Sequence, residues 1–114
     1  MVRFRLQESL NFLSSEVHKA FGPLFNSAAT AEMKQAAQTK IRHHFDLLAH
    51  QFTDNRPYLL GEHFSVADAY LFVILNWAQM TGFHLTDWPA LQQLSARVFN
   101  RDHVQQAMKA EGLI

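Results

Sequence analysis

The stretch Phe64–Trp77, FSVADAYLFVILNW, opens like a capped helix and then carries apolar residues on every face. Ser65 and Asp68 stand at the spacing of a capping box. In that motif the serine hydroxyl accepts the N–H three residues on, and the acid reaches back to the serine N–H. A helix that is apolar all round belongs in the middle of a core. A carboxylate at its mouth then needs donors for both oxygens, because a buried charge without partners is costly. Ser65 and Asp68 therefore read as a structural cap, with lone pairs engaged in architecture and not free for proton transfer.

Outward from this helix, the 114 residues suit one domain (1–114) with a single sizeable core, and 48% hydrophobic against 18% charged residues argues against disorder. Ten basic and ten acidic residues cancel to zero net charge, which removes the electrostatic basis for binding nucleic acid or anionic lipid. The absence of cysteine excludes disulfides, thiolate metal ligation and a cysteine nucleophile within this chain. MVRFRLQESL is broken by arginines and polar residues, so it lacks the apolar segment of a signal peptide. The longest apolar run, Val66–Trp77, is too short to span a bilayer. These features predict a soluble cytoplasmic domain with neither a membrane nor a nucleic-acid partner.

Periodicity is helical from end to end. Leu6, Leu10, Leu13, Val17 and Phe21 recur in steps of three and four, predicting a first helix that Gly22-Pro23 ends or kinks. Thr30 and Glu32 mark a second helix start, and Ala37, Ile41, Phe45, Leu48 and Phe52 form its core face. Tyr58–Gly61 reads as a tucked-in loop before the capped helix, which should stop by Gly82. Asp87 before Trp88-Pro89 has the form of an N-cap with proline in the first turn. Leu91, Leu94 and Val98 face the core of a fourth helix. After a junction at Asn100-Arg101-Asp102, Val104, Ala107 and Met108 mark a fifth, ending at Gly112. The expected fold is all-α, a five-helix orthogonal bundle around the buried Ser65–Trp77 helix.

The first helix carries a second stripe. Asn11, Ser15, His18 and Gly22 step by four, three and four, and Phe4 falls on the same face. On a solitary domain this is the solvated side; an aromatic among Asn, Ser and His also suits a surface meant to be covered. Seven histidines invite a metal reading, with His43, Asp46 and His50 on one side of the second helix. Residues seven apart lie ~10 Å apart along a helix axis, too far for one tetrahedral ion, so no metal site is expected. No spaced nucleophile system or glycine-rich phosphate loop is present.

The string YLLGEHFSVADAYLFVILNW resembles the C-terminal helical domain of cytosolic glutathione transferases, in which a Leu-Gly turn precedes a Ser/Thr-x-x-Asp box opening the central helix. LNFLSSEVHKAFGPLF resembles the first helix of that domain in the bacterial beta class, and WPALQQLSARVFNRDHVQQAMKAEGL resembles its closing helices. Asp102 departs from the pattern, since many members carry proline there. The resemblance implies a partner, an N-terminal thioredoxin-like domain that holds most of the glutathione site and the catalytic thiol or hydroxyl. No βαβ pattern for it occurs here, so the expectation is a C-terminal domain on its own.

The resemblance further implies glutathione as co-substrate, a small apolar electrophile as second substrate, and a homodimer formed through the helical domains. Asn11, Ser15, Glu16, Val17 and His18 match the family's glutathione-contacting stretch, with His18 in an auxiliary catalytic role. A transferase half that is inactive alone, a stand-alone helical interaction module and a histidine-metal protein remain the competing readings. Truncation carries its own expectation: apolar surface that a partner domain would cover is left exposed.

Overall fold

The computed structural model describes residues 2–110, with side chains throughout that span except at residues 2–4, 107 and 108. The positions expected for Phe4, Ala107, Met108 and Gly112 therefore lie outside the described side chains. Six α-helices are present among the described residues: α1 (Val2–Phe12), α2 (Gly22–Phe25), α3 (Ala31–His50), α4 (Val66–Met80), α5 (Pro89–Phe99) and α6 (Asp102–Ala110). A π-helical segment, Leu13–His18, prolongs α1, and a 3-10 turn, Leu85–Asp87, precedes α5. The five expected helices are all there. The sixth is α2, a single turn after the predicted break, with Pro23 in its first turn, where a missing N–H costs no helical bond.

Local chemistry sets most of the boundaries. Thr30 caps α3 by accepting the Met33 N–H on Oγ1 at 3.1 Å. At the far end of α4, Gly82 takes φ +97°, and the Phe83 N–H returns to the Ala78 carbonyl at 2.9 Å. This left-handed closure after a helix favours glycine. Asp102, where the resembled family often has proline, stands in the first turn of α6, and its charge complements the helix dipole there.

One boundary differs from the sequence reading. Asp87 does not cap α5; Trp88 occupies that position and no side chain closes it. The 3-10 turn moves the helix start one residue on, and the Asp87 carboxylate instead meets the Arg42 guanidinium of α3 at 3.3 Å.

The core joins Leu13, Val17 and Phe21 to Ile41, Phe45 and Leu48 of α3, to Leu71, Ile74 and Leu75 of α4, and to Leu91, Leu94 and Val98 of α5. Leu6 and Leu10 of α1 pack against its margin. Helix α4 is the centre: it meets α1, the π-helical segment, the 3-10 turn and α5. The mouth of α4 is fastened as the capping box requires. Asp68 is fully buried; its Oδ2 accepts the Ser65 N–H at 2.8 Å and the Ser65 hydroxyl at 3.2 Å. The second oxygen, Oδ1, accepts the Leu59 N–H at 2.8 Å from the preceding loop. That loop is tucked in as expected, with Leu59 buried and Tyr58 and Gly61 exchanging two backbone hydrogen bonds. Arg56 braces it further, donating to the Leu59 carbonyl at 3.1 Å and clasping Asp54, whose carboxyl the guanidinium holds down at about 2.

Candidate functional site

The apolar character of α4 extends beyond what the core uses. Val66, Tyr70, Val73, Trp77 and Met80 recur at helical steps and form one stripe. Val66, Val73 and Met80 are 56%, 44% and 75% exposed, so a side of the central helix lies open. Phe25 of α2, itself exposed, extends the stripe by packing edge-on against Trp77, with ring centroids 5.9 Å apart. Contiguous exposed apolar faces of this kind are common where proteins bind partners or ligands.

His18 sits at the edge of this face. Its Nδ1 lies 2.7 Å from the Tyr70 hydroxyl, 52 residues away in the chain. The ring also stands edge-on to Trp77 at 4.8 Å and to Tyr70 at 5.9 Å. An imidazole, a phenol and an indole thus meet on one uncovered surface, combining hydrogen-bonding tips with apolar bodies.

The structure divides the predicted first-helix stripe. Between Leu13 and His18 the backbone is π-helical, so each residue turns through a smaller angle than in an α-helix and the four-three-four register no longer holds. Such π segments recur at functional sites. His18 is brought to α4. Ser15 and Glu16 line a different groove of about 580 Å³, facing Met33, Ala37 and Lys40 of α3. Asn11 is exposed, and its carbonyl takes hydrogen bonds from the hydroxyls of Ser14 and Ser15. Val17 is fully buried in the core, so its side chain is closed to any ligand. Tyr70 and Trp77, unmarked as site residues in the sequence, are the side chains that hold His18.

Among the described residues no group of three or more histidine, aspartate or glutamate side chains is arranged to hold a metal. Asp46, grouped with His43 and His50 by helical spacing, accepts the Trp88 indole N–H at 2.7 Å. No described helix is long and apolar enough to cross a membrane.

The model of the "Glutathione S-transferase, C-terminal domain" family matches residues 12–102, which include the π-helical segment, the capping box and α4. The chain belongs to this family. It is 32% identical over 111 residues to the glutathione S-transferase GstA of Escherichia coli O157:H7, covering 97% of this chain and 55% of GstA. Among solved structures, a ternary complex of BphK, a bacterial glutathione S-transferase, is 47% identical with a TM-score of 0.93. The match covers 97% of this chain and 55% of BphK. The beta-class enzyme of Sphingomonas chungbukensis is 41% identical, also with a TM-score of 0.93, over 100% of this chain and 56% of its own. The beta-class resemblance and the all-α C-terminal-domain fold are thereby borne out. The chain spans about half the length of the relatives it matches.

Proposed function

We propose that this chain is the helical half of a beta-class-like glutathione transferase, in which the His18 edge of α4 completes the site where glutathione thiolate meets an apolar electrophile. The observation that carries the reading is the contact of His18 with Tyr70 and Trp77 on an uncovered apolar face. A hydrogen-bonding ring there suits a polar co-substrate, while the adjoining aromatic surface suits an apolar electrophile. Asn11 stays in the proposed glutathione contact as an exposed residue on the same helix. Ser15 and Glu16 border the α3 groove, and Val17 contributes through the backbone at most.

The catalytic thiol or hydroxyl is supplied by a thioredoxin-like domain seated on the Val66–Met80 stripe, and the chain alone is inactive. The working assembly is a cytoplasmic homodimer. Bound glutathione and a thiolate opposite His18 make the chemistry a nucleophilic attack on the electrophile, with His18 stabilising sulfur or orienting the tripeptide.

The test supplies in trans the N-terminal segment of the relatives that this chain does not span. Binding, together with conjugation of glutathione to a chloronitrobenzene that neither piece catalyses alone, supports the reading. Binding without conjugation would favour an interaction module, and no binding would remove the transferase reading.

A further inference from the structure

We infer that Tyr70 is a positioning residue for His18: its hydroxyl donates to Nδ1, fixing the imidazole with its proton on Nε2, so that His18 meets its ligand as a hydrogen-bond donor. The inference deepens the proposed function and rests on it only for what His18 meets.

The 2.7 Å contact admits two polarities, because either ring nitrogen of a neutral imidazole can carry the proton. Chemistry favours one. A phenol O–H is a far better hydrogen-bond donor than a neutral imidazole N–H, and the bare imidazole nitrogen is a far better acceptor than a phenolic oxygen. Tyr70 therefore gives the hydrogen and Nδ1 receives it.

The ring is fixed in place as well as in tautomer. Trp77 stands edge-on to it at 4.8 Å, and flipping the imidazole would present carbon to the phenol and forfeit the bond. Tyr70 and Trp77 lie seven residues apart on one face of α4, a rigid core helix, so the clamp is built on regular structure. Nε2 takes no partner among the described residues, and His18 is exposed.

The consequence is a choice of role. A ring whose free nitrogen carries hydrogen cannot accept a proton there, so His18 is not a general base through Nε2. It presents one aimed donor, suited to a thiolate, a carboxylate or a carbonyl oxygen. On the proposed reading that acceptor belongs to glutathione.

The experiment is long-range ¹H–¹⁵N correlation of the His18 ring in the labelled full chain at mildly alkaline pH. Wild type should show Nδ1 with the shift of a bare nitrogen and Nε2 with that of a protonated one. In Tyr70→Phe both signals should move toward those of free imidazole, with backbone amides away from the site unmoved. A protonated Nδ1 in wild type, or ring signals indifferent to Tyr70→Phe, would overturn the assignment. Adding glutathione with the trans-supplied domain separates the two claims. Movement of Nε2 supports both. A still Nε2 sinks the glutathione role of His18 and leaves the Tyr70 assignment standing on the first measurement.

Discussion

The Leu59 amide donates to Asp68 Oδ1 at 2.8 Å across nine residues, so one carboxylate fastens both the incoming loop and the first turn of the central helix. Ser65 and Leu59 each place a backbone N–H against it, and Asp68 has no solvent exposure. Removing the carboxylate strands two backbone donors, one of them on the buried Leu59, while the Ser65 hydroxyl is free to turn elsewhere. Each orphaned buried group costs roughly 1–3 kcal/mol, so Asp68→Ala should lose about 4 kcal/mol. Ser65→Ala removes one capping hydroxyl and should lose about 1 kcal/mol. Urea denaturation midpoints measure both. Equal losses would mean that the Leu59 link contributes nothing.

His44 carries a pH dependence of stability. The ring is buried, T-stacked on Phe12 at 5.4 Å, and neither of its nitrogens has a partner among the described residues. Burial, then the charge of Lys40, lowers its pKa below 6.5, while Glu16 opposes the shift and His43 adds to it. The folded state therefore favours the neutral ring. Its contribution is intact above pH ~6.5, the unfolded value, and is lost as pH falls from there toward the lower folded value. His44→Leu should flatten the stability profile over that interval. A mutant profile parallel to wild type would assign the acid sensitivity to other groups.

The open stripe on α4 predicts behaviour of the chain by itself. Val73 and Met80 are exposed and carry little of the core, so Val73→Glu with Met80→Glu should change folding stability by only about 0.5 kcal/mol. The pair should nonetheless reduce binding of an apolar-surface dye and any self-association seen by sedimentation. On the proposed reading it should also abolish capture of the trans-supplied domain. Unchanged dye binding would place the sticky surface elsewhere.

The parts legible in the sequence are those governed by local rules. Ser65 and Asp68 are three residues apart, and Ala37, Ile41, Phe45, Leu48 and Phe52 follow one helical period, so both cap and core face can be read without tertiary information. The His18–Tyr70 pair joins residues 52 apart and depends on a π-helical segment that α-helical stepping does not anticipate. A signal was nevertheless present. Tyr70 and Trp77 are polar-tipped aromatics in an otherwise apolar run, and such tips seek partners when half-buried. The uncovered side of α4 was hidden for another reason. A helix apolar all round looks the same whether its last face meets its own core or a second domain.

Asp46 tests the remaining histidine question. Helical spacing groups it with His43 and His50, yet its carboxylate takes the Trp88 indole N–H at 2.7 Å. Trp88 is only 4% exposed and lies under the Arg42 guanidinium, 4.8 Å from the ring centre. Asp46→Ala leaves a buried indole N–H without its acceptor and should cost about 2 kcal/mol. Asp46→Asn keeps an acceptor oxygen and should cost less than about 1 kcal/mol. His43→Ala and His50→Ala, at exposed positions, should stay within about 0.5 kcal/mol. Thermal melts with and without zinc complete the test. A zinc-dependent rise in Tm that Asp46→Ala abolishes, and that His43→Ala or His50→Ala abolishes as well, would make Asp46 a metal ligand, and its bond to Trp88 secondary.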